Sequence, residues 1–411
     1  MSTRCALLLT QCVIVLGVSL TIGPPPAAIS SLTDQGDTIA LIITGAPDTV
    51  FRTSTSACES NDRPDVYAHA VRTSRGVMLL SGNAYGNYVL IGPDLDHLHR
   101  DCKYPRLISA SNLSPQSFQN REWIVAAYRV GRTIHALIHN EYHDPSSPLC
   151  KPGDNGSGNP CWYNAVTYAY SVDDGMTFQH PTRLLVAAPT RRWDPSIGAP
   201  IGQKRRLYGY FGPSGIVRGR DGYFYSTMVA INNPDSARGT CVIRTRDLSD
   251  PASWRAWDGK EYRHAFLNPY SPDVQAPLRA CAAVSPDIIH DFGGSLTYNT
   301  YLARYVLVGF WTRGRAHQPT ACGFAFSLSV DLVHWSAPQV FQTADPPSND
   351  APDCPAGAIG KAYYPALIDE SDTTVNHEST GKTPYLYYVA GLGAASRDLI
   401  RIRLRFDLPS R

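Results

Sequence analysis

His139, Glu141 and His143 alternate along the stretch HNEYHD, and Glu122 opens the apolar run that leads to it. Alternate residues of an extended strand share one face. Two imidazoles and a carboxylate on one face, with a second carboxylate nearby, could move protons, hold a polar substrate or ligate an ion. Two His and one carboxylate form a ligand set used by zinc and iron sites, although no second motif supports a metal here. The plain alternative is that these are solvated residues at loop ends.

The element that must position them runs from Arg121 to Asp144. It reads as two strands, Trp123 to Val130 and Thr133 to Asn140, joined by a tight turn at Gly131. The return strand brings Glu141 back beside Glu122, at one edge of the sheet. Similar hairpins recur along the chain. The best-matched line of the repeat is an apolar strand followed by Asp: IGPDLDHL, YSVDDGMTF, RTRDLSDPASW and LSVDLVHW. The Asp residues are Asp94, Asp173, Asp247 and Asp331, with Asp398 as a weaker fifth, at separations of 79, 74, 84 and 67 residues. That period, filled with strands and no amphipathic helix, predicts an all-β fold: a five-bladed β-propeller with four-stranded antiparallel blades. The repeated Asp side chains are expected to hold turns by bonding nearby backbone N–H groups.

In such a propeller, residues just before first strands and just after second strands share one rim, where loops vary and function resides. Asp65, Glu122, Pro213-Ser214, Asp291 and Tyr363 precede first strands. Asn83, His139, Glu141, His143, Asn232, Asn233, Trp311 and Arg313 follow second strands.

Composition sets the compartment. The chain has 411 residues, 43% of them hydrophobic, with 32 Gly and 32 Pro, so it holds a large core and many turns. A net charge of +2 gives no case for nucleic acid or a membrane surface. Arg4, the apolar run Ala6 to Ile22, and Pro24-Pro25-Pro26-Ala27-Ala28 predict a signal peptide over residues 1–30, with an uncleaved anchor as the alternative. Residues 31–411 are then expected to form one domain, secreted and monomeric. Ten Cys less Cys5 and Cys12 leave eight, an even number that suits disulfides after export. Cys150 and Cys161 flank one polar loop and are the safest local pair. Cys58–Cys102, Cys241–Cys281 and Cys322–Cys354 follow by neighbourhood. Asn112 and Asn155 head glycosylation sequons, meaningful in a eukaryotic host.

An Asp ahead of the innermost strand in NDRPDVYAHAVRTSRGVMLL, with turns of the SxDxxxW kind and the five-fold repeat, resembles the five-bladed propeller glycosidases. These are the arabinanase, β-xylosidase, invertase and levansucrase superfamily. HNEYHD, CWYNAVTYAYS, GPSGIVRGRDGYFY, SLTYNTYLARYVLVG and YYPALIDE are similar to a little-characterised group of exported bacterial propellers. The resemblance implies that Asp65 is base or nucleophile, that a Glu in a later blade is the acid, and that a third Asp tunes and positions. Where the superfamily places its Glu, ahead of a blade-three or blade-four strand, this chain has Gly212-Pro213-Ser214 and His290-Asp291-Phe292-Gly293-Gly294.

Glycoside hydrolysis needs two carboxyls across the scissile bond, one of them protonated at working pH. The expected assignment is Asp65 as base or nucleophile and Glu141 as acid. Glu122 would raise the pKa of Glu141 and help hold the substrate, with Asp291 in reserve. His139, His143, Trp123, Asn83, Asn232, Trp311, Arg313 and Tyr363 are the expected substrate contacts. The substrate is then an oligo- or polysaccharide, such as an arabinofuranoside. No cofactor is required; a calcium or sodium ion in the central channel, near His69 or His290, is compatible. Two readings stand beside hydrolysis. One is a carbohydrate-binding propeller without turnover. The other is a sialidase-like enzyme using Arg121, Arg218 and Arg313 with a Tyr nucleophile, although Arg218 falls away from the rim. Gly212-Pro213-Ser214-Gly215 is not the GxSxG of a serine hydrolase.

Overall fold

The structure is a computed structural model. It describes residues 39–409 except 145, 151–160, 204–206, 232–237, 276–277, 316–317, 346–358 and 392–396, with backbone alone over 313–321. The expected signal peptide therefore lies outside the described residues.

Nearly all regular structure is β. Among the described residues the α-helices are two single turns, Thr53–Ser56 and Pro286–Ile289. The chain folds as successive antiparallel meanders. The first joins His69–Thr73, Gly76–Leu80, Val89–Gly92 and His99–Asp101. One tight point is Gly76, at φ +108°, where a Cβ would lie 2.1 Å from the Gly92 carbonyl oxygen. No residue with a side chain fits there. The second meander runs Arg121–Val130, Thr133–Tyr142, Trp162–Ser171 and Leu185–Ala187, and Gly131 supplies the left-handed turn residue at φ +61°.

The third unit departs from its expected shape. A first strand is expected directly after Pro213-Ser214, yet only Val217–Arg218 pairs there, against Phe224–Ile231. Its place is taken by Leu207–Phe211, which pairs antiparallel with Phe224–Ile231 and parallel with Trp162–Ser171. That parallel seam fuses the second and third meanders into one ten-stranded sheet. Gly209 makes the seam possible, because a Cβ there would meet the Asn164 carbonyl at 1.9 Å. Gly294–Asn299, Arg304–Arg315, Gln318–Ser329 and Gln339–Thr343 form the next antiparallel run. The last sheet holds Ala362–Ile368, Tyr385–Ala390 and Asp398–Asp407, and Ala40–Ile43 and Asp48–Phe51 complete it. The first strands of the described chain thus pair with its last, tying its two ends together.

The core lies between faces of neighbouring sheets. Val71, Met78 and Leu80 pack against Ile124, Ala127, Ile134 and Ile138, all essentially sealed from water. Truncating one such side chain to Ala costs about 2–5 kcal/mol. The repeated Asp residues hold turns, as expected. Asp94 accepts from the Asp96 and His97 amides at 3.0 Å, Asp173 from Thr177 at 3.0 Å, Asp247 from Ser249 at 2.8 Å, and Asp331 from Val333 and His334 at 2.9 and 2.8 Å. Asp398 differs: it accepts from the Thr53 amide at 2.9 Å and so anchors the N-terminal segment. Disulfides join Cys58–Cys102, Cys150–Cys161 and Cys241–Cys281. Cys354 lies outside the described residues. Among those described, no helix is long and apolar enough to cross a membrane.

Candidate active-site cavity

The pleat of the hairpin decides what faces what. Arg121 pairs in register with Glu141, and Trp123 with His139. Arg121, Trp123, His139, Glu141 and His143 all line one cavity of ≈ 450 Å³, together with Asp65, Tyr67, Trp162, Tyr364 and Arg397. Strand alternation gathers the hairpin residues, and the loop segment Asp65–Tyr67, ahead of the strand His69–Thr73, brings the second carboxyl.

Glu141 is held by two imidazoles. His139 Nε2 lies 2.9 Å from Oε1, and His143 Nε2 lies 2.8 Å from Oε2. Burial alone would raise its pKa. The two hydrogen bonds and the charge of the rings outweigh burial and hold it at about 2. The Gly212 N–H donates to His139 Nδ1 at 3.3 Å. The Asn164 side-chain amide lies 3.2 Å from His139 Nε2, so both ring nitrogens are engaged. Both Nε2 atoms are spent on the carboxylate, and no group of three or more His, Cys, Asp or Glu among the described residues is placed to hold a metal ion.

Asp65 sits in the opposite kind of environment. Burial pushes its pKa up, the Arg397 guanidinium draws it partly back, and the Glu141 charge raises it again. Its donors are Arg397, Tyr364 Oη at 3.3 Å and Trp123 Nε1 at 3.3 Å. Trp123 therefore links the two carboxyls: its Nε1 bonds one, and its ring lies 5.8 Å from the His139 ring that bonds the other. Trp162, 37% exposed, stands at the mouth edge-on to His143 at 5.7 Å.

Several expected contacts go elsewhere. Glu122 lies within the strand Arg121–Val130, not ahead of it, so its side chain takes the face opposite Arg121 and Trp123. There it is 1% exposed, 2.7 Å from His180 Nε2 and 3.3 Å from the Ala110 amide. It does not join Glu141 in the cavity or appear among the causes of that residue's shift. Asp291 pairs with Arg238 at 3.3 Å on the surface. Asn83 is 3% exposed and holds its own turn, accepting from the Tyr85 amide at 3.0 Å and donating to the Asn61 carbonyl. Trp311 stacks on His290 with centroids 6.0 Å apart. Asn232 and Asn233 lie outside the described residues, as does the side chain of Arg313. His69 bonds the Ala127 carbonyl at 2.6 Å, and burial lowers its pKa to about 4.

Tyr363 is displaced by one residue. The register shifts between Tyr363 and Ala366, and Tyr364 takes a left-handed φ of +52°. A bulge of this kind re-aims side chains. Tyr364 reaches Asp65, while Tyr363 packs under Arg397 at 4.9 Å. Arg397 was missed because it precedes the closing strand, a position that a rule built on first and second strands does not inspect.

No protein-family model matches the chain, and no curated protein sequence does. Among solved structures it is similar to a protein of unknown function from Dyadobacter fermentans DSM 18053, at 12% identity and TM-score 0.46, over 90% of this chain and 100% of that one. It is similar to sucrose-6-phosphate hydrolase from Lactobacillus gasseri, at 10% identity and TM-score 0.45, over 85% and 62%. A sialidase from Trypanosoma rangeli bound to the inhibitor DANA gives 9%, TM-score 0.45, and 88% and 60%. These likenesses are shallow, so function must be argued from the chain's own residues.

Proposed function

We propose that this chain is an exported glycoside hydrolase built as a single five-bladed β-propeller, with Asp65 and Glu141 acting on one glycosidic bond. The observation that carries the reading is the split between the two carboxyls of one cavity. Burial raises Asp65, and two imidazoles hold Glu141 at about 2. Pairs of carboxyls pushed apart in this way divide the acid and base roles. The division reverses the one expected from the sequence. Asp65 donates a proton to the glycosidic oxygen, and Arg397, Tyr364 and Trp123 then stabilise the carboxylate left behind. Glu141 stays ionised and meets the positive charge that develops on the sugar ring; water then forms the new bond to the anomeric carbon and gives its proton back to Asp65. Tyr67 and Tyr364 do not suit a tyrosine nucleophile, because burial pushes Tyr67 up to about 12 and Tyr364 well above its ordinary value.

The five-bladed form is supported by the run of antiparallel meanders and by the pairing of the first strands with the last. Export is supported by three disulfides, which persist in oxidising compartments. The test is reducing-sugar release from arabinan, xylan, fructan, acidic pectic glycans and sialosides, comparing wild type with Asp65→Asn and Glu141→Gln. Loss of about 10²–10⁴-fold in both variants, with each variant still folded by circular dichroism, supports the pair. Binding of a glycan with no turnover in the wild type would favour a carbohydrate-binding propeller instead.

A further inference from the structure

The cavity continues sideways. A second hollow of ≈ 420 Å³ shares Ala84, Tyr85, Arg121 and His143 with it. Arg121 therefore stands at the junction of the two, with its side chain exposed. Its register partner is Glu141, and opposite charges directly across a hairpin ordinarily pair. Here they do not. Both Glu141 oxygens are taken by imidazoles, and Asp65 is taken by Arg397. Among the described residues no ion pair engages Arg121. The lining also carries three guanidinium groups, those of Arg63, Arg121 and Arg397, against the ionised Glu141 and the acid form of Asp65. Positive charge is therefore in excess.

We propose that Arg121 binds a carboxylate of the substrate, so that the glycan is an acidic one whose charged sugar lies at the junction of the two hollows. This deepens the glycoside hydrolase reading and rests on it. A guanidinium is a planar fork that meets a carboxylate through two parallel N–H bonds, which a neutral sugar does not offer. The excess positive charge draws anions to the mouth, an attraction that salt screens. Tyr85, 52% exposed and shared by both hollows, gives the same sugar a ring to lie against. The carboxylate could belong to a uronic acid or to a sialic acid, and the two share this chemistry.

The experiment is calorimetric binding to the Glu141→Gln protein, which retains Arg121 but should not turn substrate over. Probes are galacturonic-acid oligomers, glucuronic-acid oligomers and sialyllactose, each beside its carboxyl-reduced neutral form. One acidic series is expected to bind about tenfold more tightly than its reduced form. Adding Arg121→Gln should close that gap while leaving the neutral form's affinity in place. The series that shows the gap distinguishes uronic from sialic acid. A reduced form that binds as tightly as its acid, or a gap that survives Arg121→Gln, overturns the assignment and leaves the hydrolase reading standing. If none of these probes binds, but wild type releases sugar from arabinan or another neutral glycan, the acidic assignment alone fails. No binding and no release from any glycan sinks both.

Discussion

The two faces of one hairpin each set a glutamate against histidine and put the pairing to different use. On the cavity face, Glu141 accepts from His139 and His143 at 2.9 and 2.8 Å beside open space. On the other face, Glu122 sits 2.7 Å from His180 and is sealed from water. Both are carboxylate–imidazole clusters, and each is centred on a glutamate from one strand of the hairpin. The difference shows that residue type and closeness in sequence do not make a site; the pleat, which sends successive side chains to opposite faces, decides which cluster meets a substrate.

The comparison breaks most sharply on activity. Glu141→Gln should lower turnover by about 10²–10⁴-fold. Glu122→Gln should leave turnover per folded molecule unchanged, as measured by active-site titration against a bound inhibitor.

Acid stability gives the next largest effect. The Glu141 pKa is about 2 in the fold against an ordinary 4.5. A depressed carboxyl contributes stability that is fully present above 4.5 and is lost as pH falls toward 2, about 3 kcal/mol in all. Urea unfolding between pH 5 and pH 2, at roughly half-unit steps, should show that loss in the wild type and a smaller one in the His139→Ala, His143→Ala double variant.

His180 should behave with the opposite sign. Burial would lower its pKa, but the Glu122 carboxylate outweighs burial and raises it above 6.5. A raised imidazole contributes stability that is present below 6.5 and fades as pH rises through the folded value. Glu122→Gln should remove that alkaline fading and destabilise the fold by about 1–3 kcal/mol at pH 6, read by the same unfolding curves. Equal pH profiles for the two carboxyl variants would erase the distinction between the faces.

Much of the frame was legible in the sequence. The Asp-bearing turns, the hairpin at Gly131 and the pairings of Cys58, Cys150 and Cys241 follow from turn chemistry, strand periodicity and neighbourhood. The gathering of His139, Glu141 and His143 was also readable, because alternation on a strand is local. Glu122 was misplaced by a boundary: the strand begins two residues earlier than expected, at Arg121, which moves Glu122 from a loop end into the pleat and turns it away. Tyr364 took the place assigned to Tyr363 through a bulge and a left-handed backbone, which no tyrosine advertises. Arg397 and the parallel seam at Gly209 depend on contacts between segments far apart in the chain, and local pattern is blind to those.

The most direct measurement is a paired one: glycan hydrolysis and melting temperature for Glu141→Gln and Glu122→Gln, side by side with wild type. The cavity assignment predicts a folded, inactive Glu141→Gln protein and an active, less stable Glu122→Gln protein. An active Glu141→Gln protein alongside a folded but inactive Glu122→Gln protein would contradict it and move the chemistry to the other face of the hairpin.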